Sequence, residues 1–300
     1  MRSEISATQL GDMARQSLSK TNSRILGQVV ASFRNSFYIR TRDDQLLFVT
    51  NSQLGSPITI NLTQGYNFED LTPLNSDVKL FDDHLVVGEK AVIQLATAQP
   101  YKMTSIRARE VGVTHNTLRR LAFIIGILDT TLSVLDAKGI AYNESKRFIR
   151  NEALALRKIN SHERFEREAF AILGLGSGFT PSGDDMLGGF LATWNTFAPW
   201  LGKAKILLSS EALTNRTSWI SAKLFDQLQK QMLDSQLARL MEYAASGRQD
   251  EFVLASEGLL SRGHTSGLDL TTGIAISLSL IQDISTHASN TESLLNQLGF

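Results

Sequence analysis

The sequence predicts an α+β protein, with an N-terminal β-rich domain, barrel or sandwich-like, over residues 1–110 and a mainly α-helical domain over 111–300. Three observations point there. Near residue 114 the apolar pattern changes from alternation to a spacing of three and four. Turn residues punctuate the first part every few positions, while only Pro181 and Pro199 interrupt the second. At 300 residues with 42% hydrophobic content, the chain exceeds one comfortable core and suits two.

The β-type runs come in order. Val29, Ala31 and Phe33 alternate with polar or small positions before the turn Arg34-Asn35-Ser36. Phe37 and Ile39 follow, then the turn Arg42-Asp43-Asp44, then the run Leu46 to Val49. Gly55-Ser56-Pro57 leads into Ile58 to Leu62. Asp82-Asp83 separates Val78–Phe81 from Leu85–Val87, and Ala91–Ala96 is the last run. Short strands at this spacing fit a small antiparallel barrel or sandwich.

In the second part Leu118, Leu121, Ile125, Leu128, Leu132 and Leu135 line one helical face, and Lys138-Gly139 supplies a basic last turn and a C-cap glycine. Further helices are predicted at roughly 144–158, 161–173, 185–197, 217–244, 248–260 and 268–284.

Composition narrows the function. Thirty basic and thirty acidic residues leave no net charge, hence no general electrostatic hold on nucleic acid or an anionic membrane. An anion must be held locally. With no cysteine there is no disulfide, no thiolate metal site and no thiol nucleophile. The longest apolar run, Leu121 to Leu128, is too short to span a bilayer, and residues 1–24 lack a signal-peptide core. The expectation is a cytoplasmic protein.

The most informative stretch is Gly174-Leu175-Gly176-Ser177-Gly178-Phe179-Thr180-Pro181-Ser182-Gly183-Asp184-Asp185, set between two predicted helices. Its four glycines permit left-handed turns and close approach to the backbone. Ser182 and Asp185 fit a capping box ahead of the apolar run from Met186 to Leu191. The loop thus ends at a helix N-terminus, where free N–H groups and the helix dipole favour an anion. It is neither a P-loop, lacking Gly-Lys-Ser/Thr, nor a dinucleotide fingerprint. Asp184 and Asp185 side by side repel a bare phosphate. Either they face away as caps, or one holds Mg²⁺ bridging to a phosphate, or one accepts a bond from a substrate N–H.

A second loop repeats the grammar. Gly263-His264-Thr265-Ser266-Gly267-Leu268-Asp269 aligns with Gly178 to Asp185 in its Gly, Thr, Ser, Gly and Asp, with one deletion at Pro181. Ser266 and Asp269 again fit a capping box. Two loops of one design, each opening a helix, are expected to share one site. His264 is the histidine with a site-like setting; His84, His115, His162 and His287 lie in turn-like or polar segments. Thr214 to Ser218 with Ser221 forms a third hydroxyl-rich helix start, where Arg216 is a candidate phosphate contact or an exposed cap is formed.

Together these two motifs resemble a bacterial family of domains of unknown function that includes the AllH subunit of oxamate carbamoyltransferase, from allantoin degradation. The resemblance spans most of the chain. It implies one of several subunits in carbamoyl transfer, in which oxalurate and phosphate give oxamate and carbamoyl phosphate. The expected partners are a small anionic substrate or carbamoyl phosphate and the other subunits. No cofactor is certain beyond the Mg²⁺ option at Asp184 and Asp185. The motif positions become site candidates: His264 and Asp184 as catalytic groups, and Gly176, Ser177, Gly178, Thr180, Ser182, Gly183, Asp185, Gly263, Thr265, Ser266, Gly267, Asp269 and Arg216 as binding groups. A ligand-binding or scaffolding subunit and a Mg²⁺-dependent phosphoryl-transfer enzyme are the alternatives.

Overall fold

The computed structural model describes residues 3–20, 24–63, 65–101, 152, 156, 162–263 and 265–297. The apolar stripe from Leu118 to Leu135 lies outside them, as does the helix expected at 144–158 apart from Glu152 and Leu156. Two compact units divide the chain. One comprises Met1–Thr104 and Met232–Gln236, the other Ser105–Gln231 and Leu237–Phe300.

The β unit contains β1 (Ser3–Gly11), α1 (Asp12–Lys20), β2 (Ile25–Phe33), β3 (Ser36–Thr41), β4 (Leu46–Thr50), β5 (Thr59–Leu62), α2 (Phe68–Leu71), β6 (Asp77–Leu80), β7 (His84–Val87), β8 (Ala91–Gln94) and β9 (Gln99–Tyr101). The sheet order is β5-β4-β3-β2-β6-β7-β8-β1-β9, and β5 also pairs with β1. That pairing closes an eight-stranded barrel, with β9 alongside the C-terminal half of β1. β1 runs parallel to β8 from Ser3↔Ala91 and antiparallel to β5 through Leu10↔Ile60. A register shift between Ala7 and Gln9 marks a bulge in β1. The alternating residues read from the sequence point inward: Val29, Phe37, Ile39, Leu47, Val49, Ile60, Val78, Leu85, Val87 and Ile93 are all completely buried. α2 plugs this core with Phe68, whose ring centroid lies 5.4 Å from that of Phe37.

The helical unit holds α3 (His162–Ile172), α4 (Ser182–Phe197), α5 (Ser210–Arg216), α6 (Trp219–Gln229), α8 (Gln249–Leu260) and α9 (Ser266–Gln297), with most of α7 (Ser235–Ser246). The single helix expected at 217–244 is two helices. Gln231 takes a left-handed φ of 59°, and Met232–Gln236 leave to join the β unit. There the Ser235 N–H donates to Gly55 O at 2.7 Å, and the Gly55 N–H donates to Ser235 Oγ at 3.2 Å.

α4 is buried on nearly every side: each of its residues except Asp185 lies in the interior, the polar Thr193, Asn195 and Thr196 included. It packs against α9 so closely that side chains are excluded. A β-carbon on Gly189 would lie 2.0 Å from Leu270 O, and one on Gly273 would lie 1.8 Å from Met186 O. The two contacts are reciprocal: each glycine opposes a backbone carbonyl three residues before the other glycine. Among the described residues no helix is long and apolar enough to cross a membrane.

Candidate functional site

The two loops belong to matching helix–loop–helix segments, α3–α4 and α8–α9. Ser182-Gly183-Asp184-Asp185-Met186-Leu187-Gly188-Gly189 aligns without gaps with Ser266-Gly267-Leu268-Asp269-Leu270-Thr271-Thr272-Gly273. The structural environments match as well. A β-carbon on Gly183 would lie 1.9 Å from Ile172 O, at the end of α3, and one on Gly267 would lie 1.9 Å from Leu259 O, near the end of α8. Each helix therefore starts in close backbone contact with the helix before it.

Both helices begin one residue earlier than a capping box requires. Ser182 and Ser266 are first helical residues, not caps. Pro181 occupies the N-cap of α4, no side chain caps that end, and the Asp184 and Asp185 N–H groups both donate to Pro181 O. Proline suits this position because its ring favours the extended backbone found there, with φ −55° and ψ 149°, from which the helix departs.

The adjacent aspartates part company. Asp184 is 4% exposed, and both its oxygens are engaged. Oδ1 accepts the Gly174 N–H at 2.7 Å, and Oδ2 accepts the Thr217 hydroxyl. Burial raises its pKa, against the bonds from Thr217, Gly174 and Ser221. Asp184, a catalytic candidate by sequence, thus ties the loop to its surroundings through both oxygens.

Asp185 faces the second loop. It is half-buried, and its pKa rises to about 7, first because burial penalises the charge. A hydrogen bond with Ser266 and the nearby charge of Arg262 oppose the rise; Asp269 and Asp184, both acidic, add to it. Thr180 Oγ1 stands 3.4 Å from Asp185 Oδ2. Asp185, Thr180, Ser266, Asp269 and Arg262 are thus brought together at the start of α4 and α9. Asp269, fully buried, is the counterpart of Asp185 in the repeat.

Gly176, Ser177, Gly178 and Phe179 form an exposed arc. Gly174, Gly176 and Gly178 all take positive φ, between 81° and 112°, the reason the loop is so rich in glycine. Gly263 also has positive φ, and Thr265 accepts at its carbonyl the Asp269 N–H at 3.0 Å. His264 lies outside the described residues.

Arg216 does not join the loops with its guanidinium. That group sits over the Phe170 ring, 4.8 Å from the centroid, and donates to Phe170 O at 3.2 Å. The third hydroxyl-rich segment resolves into a cap and a latch. Ser218 is the N-cap of α6, accepting the Ser221 N–H, while Thr217 serves Asp184. Sequence reasoning missed Thr217 as a partner of Asp184 and Arg262 as the nearby cation. Arg262 adjoins the recognised motif by one residue, a signal that was available. Among the described residues no group of three or more His, Cys, Asp or Glu side chains is placed to hold a metal ion.

Residues 172–278 match a family model described as oxamate carbamoyltransferase subunit AllH. This is narrower than the resemblance read from the sequence: it runs from the end of α3 into α9, contains both loops, and leaves the barrel outside. No curated protein and no solved structure matches the chain.

Proposed function

We propose, from the likeness of residues 172–278 to the AllH subunit of oxamate carbamoyltransferase, that this chain is a subunit of a carbamoyltransferase-type enzyme acting on oxalurate, oxamate and carbamoyl phosphate. Its ligand is a small anion received where α4 and α9 begin. The observation that carries the reading is that the matched stretch contains both glycine loops, and that Asp185 of one bonds to Ser266 of the other.

The chemistry follows from the groups present. In the phosphorolytic direction a phosphate oxygen attacks the terminal carbamoyl carbon of oxalurate. The bond from that carbon to the oxamate nitrogen breaks, and the nitrogen takes a proton. Backbone N–H groups at a helix start stabilise negative charge on the attacked carbonyl and on phosphate. Arg262 adds a positive charge beside the site. Asp185, with a pKa of about 7, is partly protonated at neutral pH and is matched to proton delivery to the leaving nitrogen. No cysteine is present for a thiol intermediate, and the direct transfer requires none.

The test combines binding with reconstitution. The purified chain is titrated with oxamate and with carbamoyl phosphate, then mixed with the subunits encoded beside it and assayed for oxalurate formation. Binding by the chain alone, turnover only in the mixture, and a loss of kcat with Asp185→Asn in the mixture are expected. Absence of binding, together with turnover indifferent to this chain, overturns the reading. Full turnover by the chain alone removes its status as a dependent subunit.

A further inference from the structure

The corner between α5 and α6 touches the first glycine loop and its preceding helix at successive residues. Arg216 O packs against Gly174, where a β-carbon would lie 2.0 Å away. The Arg216 guanidinium holds Phe170 on the helix leading into the loop. The Thr217 hydroxyl donates to Asp184, whose other oxygen accepts the Gly174 N–H. The Ser218 hydroxyl donates to Phe179 O at 2.5 Å. The loop is therefore tied at its start through Gly174 and near its end through Phe179, and the exposed arc from Gly176 to Phe179 is strung between the ties.

The repeat shows which aspartate belongs to these ties. Asp185 corresponds to Asp269, so both segments carry that carboxylate. Asp184 corresponds to Leu268, so the second, shorter loop has no equivalent latch. The extra carboxylate accompanies the longer loop.

We propose that Thr217 is a positioning residue of the anion site: acting through Asp184, it holds the first glycine loop in its ligand-receiving shape. This rests on the reading that a small anion binds between the loops. The physical basis is the asymmetry of buried hydrogen bonds. A carboxylate at 4% exposure that loses a donor is left with an unmet acceptor, and the tie to Gly174 loosens with it. N–H groups that must converge on one ligand lose affinity when their loop wanders.

The experiment uses the full chain with Thr217→Val, which keeps the shape and removes the hydroxyl, and Thr217→Ser, which keeps the hydroxyl. Affinity for oxamate and for carbamoyl phosphate is measured by calorimetry, with Tm and hydrogen exchange over residues 174–180 recorded on the same samples. Thr217→Val is expected to weaken binding about tenfold and speed exchange at Gly174, and Thr217→Ser to restore affinity to within about twofold. Should Thr217→Val not fold, Asp184→Asn is expected to give the same loss of affinity with faster exchange. Wild-type affinity in folded Thr217→Val or Asp184→Asn, with only a lower Tm, makes the contact purely structural and overturns the proposal while leaving the site reading intact. A wild-type chain that binds neither anion overturns the site reading and the proposal with it.

Discussion

Asp185, in the first turn of α4, shares a hydrogen bond with Ser266, the residue that opens α9. One side chain thereby joins the starts of two helices that are 81 positions apart in sequence, counted from 185 to 266. Its raised pKa has a consequence for stability. An acid with a higher pKa folded than unfolded binds its proton more tightly in the folded state. Between pH 3.8 and about 7 the folded chain holds a proton that the unfolded chain has lost, so stability falls as pH rises through that window. Asp185→Asn abolishes this dependence. Urea midpoints at pH 5 and pH 8 are expected to differ less in the variant, which gains stability over wild type at pH 8, by at most about 4 kcal/mol. An unchanged difference between the two pH values refutes the shift.

The α4–α9 contact sets two glycine effects against each other. Alanine normally favours a helix interior over glycine by about 1 kcal/mol. At Gly189 and Gly273 that gain is overwhelmed, because the new methyl meets a backbone carbonyl that cannot swing aside. Gly189→Ala and Gly273→Ala are each expected to cost about 1–3 kcal/mol in chemical denaturation. Gly258→Ala, in α8 with nothing near the added carbon, is the control and is expected to stabilise.

Asp184→Ala is expected to lower stability by about 1–3 kcal/mol, since it strands the Gly174 N–H and the Thr217 hydroxyl together. Thermal melts of Asp184→Ala and Asp185→Asn at pH 8 should move in opposite directions. Equal losses in both would return the two aspartates to a common capping role.

In the barrel, Phe68→Ala is expected to cost about 3–5 kcal/mol, because a fully buried ring is removed from the centre of the β unit. Urea denaturation followed by far-UV circular dichroism checks it. A loss below 1 kcal/mol would mean that the barrel interior refills without this plug.

Much of the barrel was legible because alternation and turns agree. The runs around Val29, Phe37, Leu47, Ile60, Val78, Leu85 and Ile93 all became strands. β1 was not legible. Only Ile5, Ala7 and Leu10 carry its buried aliphatic side, and the bulge after Ala7 shifts Leu10 out of the alternating register. The 217–244 helix was misread because nothing in its periodicity marks Gln231, whose left-handed turn serves a tertiary contact of Ser235 with Gly55. At the site, the repeat of the two loops was visible in the sequence, but the assignment of roles within Asp184-Asp185 was not. Adjacent residues on a helix point about 100° apart. Which one meets Thr217 and which meets Ser266 is set by the packing of α4 against its neighbours, which the local sequence does not carry.

The closure of the barrel by β1 gives its least apolar strand a protective duty. β5 and β8 both bond to Ser3–Gly11, on opposite sides. A chain cut before Asp12 would present two raw strand edges at once, each lined with unpaired peptide groups. Such edges on different molecules can zip together, β5 of one copy against β8 of the next, and the seam repeats without end. Ser3–Gly11 in this sense shields two neighbours at once, and its removal is expected to open both to self-association.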